Sequence, residues 1–419
     1  MNSSRSEIFV YAEWEGMESP FLMGSLFAEK SRGNEIFSFE YSHDWLSSKH
    51  SRILDPDLRL FPGPQYLTDD KPNYGLFLDS SPDRWGRLLM QRREAALAKL
   101  EHREVRTLQE TDYLLGVYDG HRMGALRFKK DPDGPFLNDN VEYASPPWTS
   151  IGDLEKISLM VESGDEVDNP EYLHWISQLV NPGSSLGGAR PKAGVLDDKN
   201  HLWIAKFPSL NDDKDMGAWE MVAYRLARQA GISMPEAKLQ KFMGRHHTFI
   251  SRRFDRSSSD ERIHFASAMT LLGYKDGTDF TEGASYLDLA SFIIANGGRV
   301  NTDLEELWRR IVFSIFVSNT DDHLRNHGFI LTNEGWVLSP AYDINPNESG
   351  TGLTLNISEN DNSLDPELAM SVIPYFRLSE KKAIKIMEQI KTVVSSWNKV
   401  AASVGISRSG QEMMRNAFK

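Results

Sequence analysis

The strongest constraint on this chain is a run of seven apolar residues: Leu304, Leu307, Trp308, Ile311, Val312, Ile315 and Phe316. They recur at i, i+3 and i+4 over about four turns, which predicts a helix packed into a core. The helix leads at once into a polar loop, Asn319-Thr320-Asp321-Asp322-His323-Leu324-Arg325-Asn326. A hairpin pattern follows, Gly328–Leu331 and Trp336–Leu338 around Asn333-Glu334-Gly335, and it ends at Pro340-Ala341-Tyr342-Asp343.

Asp321 and Asn326 stand five apart. That D-x-x-x-x-N spacing is used by protein-kinase catalytic loops. The carboxylate can orient an attacking hydroxyl and accept its proton, and the amide oxygen suits hard Mg²⁺. Asp343 follows 22 residues after Asp321, where such a plan needs a second metal carboxylate. Alone, the spacing also fits a loop held by capping side chains. Helix, loop and hairpin in this order favour the catalytic reading.

Upstream, Lys206 shares one alternating face of an expected strand with Leu202 and Ile204, and a lysine on an inward face needs an anion. Glu220 comes 14 residues later, in the first turn of an amphipathic helix expected over 218–230 and stopped by Gly231. A Lys206–Glu220 pair would aim the lysine at phosphate; the alternative is two ordinary surface charges. Gly183–Lys192 is glycine-rich, and glycines let backbone N–H groups approach an anion closely. It is no Walker A loop, since Ala189 stands where that motif needs lysine.

His323 and His327 form H-x-x-x-H beside two aspartates, which raises a metal-hydrolase reading. Against it, no helix aligns the pair and the glutamate of H-E-x-x-H is missing. His246-His247 reads as an exposed turn. Lys381, Lys382 and Lys385, on a helix expected near 380–400, read as a solvated face, with nucleic-acid contact the other reading. No G-x-S-x-G elbow occurs.

Composition bounds the remaining classes. A net charge of −13 excludes a protein that coats nucleic acid or anionic membrane. With no cysteine, disulfides, thiol nucleophiles and cysteine-ligated zinc are ruled out. Ile8–Ala12 is too short for a signal-peptide core, and the apolar run Ile311–Val317 falls well below the roughly 18 residues of a membrane span. A cytoplasmic protein without membrane contact is expected. The linker Lys129–Pro135 with Pro146-Pro147 divides the 419 residues into expected domains 1–148, 149–255 and 256–419.

With these pieces in order, the chain resembles the HipA family, kinase toxins of bacterial toxin–antitoxin pairs. The resemblance rests on Phe77-Leu78-Asp79-Ser80-Ser81-Pro82-Asp83-Arg84-Trp85-Gly86-Arg87, Ser185–Lys192, Ile204-Ala205-Lys206, Arg253-Phe254-Asp255-Arg256, Asn319–His323 and Leu338–Asp343. It implies an α+β, protein-kinase-like two-lobed fold, β-rich in its N-terminal subdomain and mostly helical in its C-terminal one. It further implies Asp321 as catalytic base, Asn326 and Asp343 as Mg²⁺ ligands, and Lys206, paired with Glu220, holding ATP phosphates. Gly187, Gly188, Ala189 and Lys192 would form a phosphate loop. Arg252, Phe254 and His323 would complete the ATP site, and Ser185, or Ser184 beside it, would be the autophosphorylated serine. The implied partners are a protein substrate, for which the family precedent is an aminoacyl-tRNA synthetase, and a HipB-like helix-turn-helix antitoxin through which alone DNA is met. Two other readings are a kinase-fold scaffold that only binds antitoxin, and a small-molecule kinase. The sequence departs from the best-known toxin at Arg190-Pro191, where that protein has Gln-Glu, and at Asp322, where it has a small residue.

Overall fold

The computed structural model describes residues 5–31, 33–67, 70–138, 146–164, 171–180, 188 and 190–419. The chain forms two compact units, Met1–Leu210 with Asp255–Ala266, and Asn211–Phe254 with Ser267–Lys419.

In the first unit, β1 (Arg5–Ala12), β2 (Phe21–Ser31), β3 (Asn34–Tyr41), β4 (Gln65–Tyr66) and β5 (Leu126–Lys129) form an antiparallel sheet in the order β4-β3-β2-β1-β5. Alternation sets its face: Ile8, Val10 and Ala12 are buried, and Val10 lies opposite Phe128. Between β4 and β5 runs α1 (Arg84–Leu100), capped by Asp83, which buries Trp85 and Leu89. Helices α2 (Ile151–Ser163) and α3 (Tyr172–Val180) precede a hairpin of β6 (Lys192–Leu196) and β7 (Leu202–Lys206). Every residue of β7 before Lys206 is buried, on both faces of the strand, so the simple alternation expected there is absent. Lys206 itself is half-buried.

The second unit begins with α4 (Met216–Gln229), followed by Gly231 at φ +82° and an antiparallel pair, β8 (Ala237–Gln240) and β9 (Thr248–Arg252). Gly217 is required: a Cβ there would lie 2.2 Å from the His247 carbonyl oxygen. The His246-His247 turn is half-buried rather than exposed, because Asp215 accepts from the His247 amide at 2.9 Å and holds its ring at 2.6 Å. Next come α5 (Tyr286–Asn296) and α6 (Val300–Val317). The apolar residues of α6 that define its repeat are all buried, and so are Arg310 and Ser314 between them, so this helix is surrounded rather than half-covered. The hairpin β10 (Gly328–Thr332) and β11 (Gly335–Leu338) follows as expected. The helix expected near 380–400 is two helices, α7 (Glu380–Val394) and α8 (Trp397–Ser403). Lys381, Lys382 and Lys385 are exposed on α7. Among the described residues no helix is long and apolar enough to cross a membrane.

The turn of the β6–β7 hairpin depends on Asp197. Burial works against its charge, but bonds from Trp203 Nε1 at 3.0 Å, from the Lys199 and His201 amides, and from the His201 ring bring its pKa down to about 2. The folded carboxyl therefore titrates below its free value of 3.8. Its stabilisation is complete above that free value and is lost as the pH falls toward the folded one. Asp197→Asn is expected to cost about 1 kcal/mol at neutral pH, after discount for solvent screening. The urea midpoints of wild type and variant, compared from pH 7 downward, should differ by a constant amount to about pH 4 and converge below it.

Candidate active site

The polar loop starts where α6 stops. Ser318 takes the left-handed conformation at φ +49°, its amide bonding back to the Ser314 and Ile315 carbonyls. Asn319 turns inward and is 1% exposed. Its amide nitrogen donates to Ser314 Oγ at 3.3 Å, and its amide oxygen accepts from the Asn345 backbone at 3.0 Å.

Beyond it, neighbouring aspartates part ways. Asp321 is exposed. Asp322 is buried, where it accepts from the Tyr286 hydroxyl at 2.6 Å and lies 3.0 Å from His327 Nε2. Burial alone would raise the Asp322 pKa, but the His327 ring and the Tyr286 hydroxyl hold it below the ordinary carboxylate value. The same burial, with Asp322 adding to it, pushes the Tyr286 hydroxyl well up. Asp322 is therefore a structural residue, and its partner His327 is absorbed into the core.

Asn326 carries the clearest chemical signal. Its amide nitrogen donates to the Asp321 carbonyl at 2.8 Å, which fixes the rotamer. Its Oδ1 is buried and has no hydrogen-bond partner among the described residues. A buried amide oxygen without a donor costs free energy unless something fills the place. Asp343, in the left-handed region at φ +56°, accepts from Asn345 Nδ2 at 3.0 Å.

Two sets of ties bring these residues together. The hydroxyl of Tyr342, just before Asp343, donates to the Arg325 carbonyl, just before Asn326, at 2.8 Å. On the other side, the Asn347 amide donates to the Ser318 carbonyl and its side chain to Thr320 Oγ1 at 2.8 Å. Gly350 packs so closely on Thr320 that a Cβ there would come within 2.3 Å of it. The 342–350 segment is thus laced to the loop both before Asp321 and before Asn326. Phe254 joins the group, its half-buried ring 5.6 Å from that of Tyr342.

The remaining sites are distributed between the units. Arg252, Glu220, His323 and the loop aspartates belong to the second unit, while Lys206, Lys192 and Gly188 belong to the first. Glu220 is buried, and His323 is half-buried with an Nδ1 lacking a hydrogen-bond partner among the described residues. Gly188 is exposed at φ +24°. Gly187, Ala189, Ser184 and Ser185 lie outside the described residues.

Sequence reasoning overlooked the roles of Asn319, Asn345 and Asn347. The only local signal was a cluster of asparagines among turn residues.

The HipA-like C-terminal domain family matches residues 184–397, just over half of the 419 residues. The chain belongs to the HipA family. A Haemophilus influenzae protein named "Putative kinase" is 27% identical over 179 residues, 38% of this chain and 52% of that protein. The Shewanella oneidensis serine/threonine-protein kinase toxin HipA is 24% identical over 143 residues, 30% of this chain and 33% of the toxin. The chain thus spans about half or less of the length of these curated relatives. The solved structure of Shewanella oneidensis HipA, determined with HipB and its operator DNA, has a TM-score of 0.65 at 18% identity and covers 98% of this chain and 94% of that one. This is the HipA fold, α+β and kinase-like.

The Asp322 network gives a direct test of how this HipA-family loop is held. Asp322→Ala strands the buried Tyr286 hydroxyl and the His327 ring together and should cost about 3 kcal/mol. Tyr286→Phe removes one bond and leaves His327 beside the carboxylate, so about 1 kcal/mol is expected. Urea midpoints of the two variants measure the order.

Proposed function

We propose that the protein is a Mg·ATP-dependent serine/threonine protein kinase. The observation that carries the reading is the buried, unpartnered Oδ1 of Asn326, whose amide is anchored on the backbone of Asp321 and which Tyr342 ties to the neighbourhood of Asp343. Such an oxygen suits a hard cation. Among the described residues no group of three His, Asp or Glu is placed to hold a metal. Mg²⁺ does not need one, since it takes one or two protein ligands and completes its shell with water and phosphate oxygens. Asn326 and Asp343 would hold it, and when bound it neutralises charge on the transferring phosphate.

Asp321 is exposed, as a base that must reach a hydroxyl on another protein has to be. In the proposed step its carboxylate orients the serine or threonine hydroxyl and accepts its proton as the oxygen attacks the γ-phosphorus, while the bond from that phosphorus to the β–γ bridging oxygen breaks and ADP leaves. Lys206 is assigned to the ATP phosphates, with Glu220 as its partner, and Arg252, Phe254 and His323 to the rest of the nucleotide. The glycine-rich segment with Gly187, Gly188 and Ala189 is assigned to the phosphates through backbone N–H groups. Autophosphorylation at Ser185, or at Ser184, is part of the same reading.

Membership in the HipA family supports a toxin acting on a cytosolic protein, with an aminoacyl-tRNA synthetase as the family precedent. The Shewanella oneidensis HipA structure holds HipB and operator DNA. It supports a HipB-like antitoxin as partner here, with DNA met through that complex.

Incubation of the protein with radiolabelled ATP and bacterial lysate tests the reading. Wild type should label protein, and Asp321→Ala and Asp343→Ala should label it at least about 100-fold more slowly. Equal labelling by Asp321→Ala overturns the assignment of the base. Label in the low-mass fraction alone makes this a small-molecule kinase, and absence of nucleotide binding makes it a scaffold. Mass spectrometry of the same samples should find phosphate on Ser185 or Ser184 only when Asp321 is intact.

A further inference from the structure

Asp83 and Lys192, 109 residues apart in sequence, meet as a buried ion pair in the first unit. The Lys192 ammonium donates to Asp83 Oδ2 at 2.6 Å and to the Gly188 carbonyl at 2.9 Å. The two side chains are 6% and 4% exposed. Asp83 Oδ1 accepts from the Gly86 amide at 2.9 Å and so caps α1, while the Lys192 carbonyl accepts from Trp85 Nε1 at 3.1 Å. Across the hairpin, Lys192 stands directly opposite Lys206. Two like charges facing each other across a strand pair repel unless one is neutralised.

We propose that Asp83 is a positioning residue for nucleotide binding, which pairs with Lys192, turns its ammonium onto the Gly188 carbonyl and clasps the end of the glycine-rich segment to β6. Lys192 is then a structural lysine, and Lys206 is the one that meets phosphate. The proposal rests on the kinase reading above and replaces its expected Lys192–phosphate contact. A positively charged side chain committed to a buried carboxylate and a carbonyl has little charge left for ATP. What it supplies is geometry: the ammonium ties the Gly188 carbonyl to the start of β6.

The test uses the full chain as Asp83→Asn, Lys192→Met and the double variant, with three readouts: Mg·ATP affinity by calorimetry, melting temperature, and hydrogen exchange of a peptide spanning Gly188–Val195. Each single variant should weaken Mg·ATP binding by about ten-fold or more and speed exchange of that peptide. The double variant leaves no buried charge unpaired. It should therefore regain melting temperature yet bind ATP no better and no worse than the singles, with exchange still fast. Recovery of ATP affinity along with melting temperature would show that Asp83 serves stability alone and overturn the proposal. So would additive losses in the double variant, or loss of binding in Lys192→Met with Asp83→Asn at wild-type affinity, since the lysine would then touch phosphate itself. A wild type that binds no Mg·ATP defeats the kinase reading. The clasp is then decided on exchange alone, where an unchanged rate in Asp83→Asn overturns it.

Discussion

Asn319 is the residue on which the loop geometry turns. It sits one position past the left-handed end of α6, where a helix has just run out of backbone partners. With its nitrogen on Ser314 and its oxygen on the Asn345 amide, it joins the buried last turn of α6 to the strand of chain that follows Asp343. A hydrophobic side chain could fill the space but could not specify the register. Two oppositely directed bonds from one planar group can, because each fixes a different neighbour. The Tyr342 hydroxyl on Arg325 does the same at the far end of the loop. Asp343 comes 22 residues after Asp321, beyond a hairpin, and these bonds bring its backbone beside the loop that carries Asp321 and Asn326.

The first unit solves a similar problem with charge. The returning segment Asp255–Ala266 is bound through Asp255, which accepts from the Gly124 amide at 2.9 Å, and through Arg256, which donates to the Gly120 and Arg122 carbonyls. Arg127 and Arg262 both reach Asp119, and Arg122 is buried with carbonyls of Ser80, Leu114 and Val117 around it. Buried ion pairs gain little net stability, because desolvation offsets most of the attraction. What they do provide is selectivity, since a misplaced partner leaves a charge uncompensated. That suits a segment which must find its place after more than a hundred intervening residues.

The order of elements was legible where a single period dominated. The helix pattern of Leu304 to Phe316, the hairpin at Asn333-Glu334-Gly335 and the stop at Gly231 all follow from local chemistry, and the structure has them in place. What stayed hidden was decided by distant partners. Asp322 looked like part of the catalytic loop, yet Tyr286 and His327 draw it into the core. His247 looked like an exposed turn residue until Asp215, 32 residues earlier, proved to hold it. Lys192 carries the charge expected of a phosphate ligand, but no local pattern in the sequence links it to Asp83. The split of the 380–400 stretch into α7 and α8 was hidden for another reason: a helix can break at Ser395-Ser396 without any glycine or proline to mark it.

The choice of side chains around the loop follows from its charges. In the proposed roles Asp321 and Asp343 must both be ionised, and each further carboxylate nearby would work against that. At an effective dielectric near 20, two unit charges about 4 Å apart repel by about 4 kcal/mol. The residues that lace the loop together are accordingly neutral: Asn319, Asn326, Asn345, Asn347, Thr320 and Tyr342 all bond without adding charge. An asparagine amide donates and accepts without carrying charge, so Asn319 closes two gaps with one side chain. The neighbouring loop carboxylate, Asp322, is turned away into the core and given a hydroxyl and an imidazole as neighbours. Replacing any of the lacing asparagines by aspartate would keep its shape, but would remove a donor and add a negative charge beside the two that the chemistry needs.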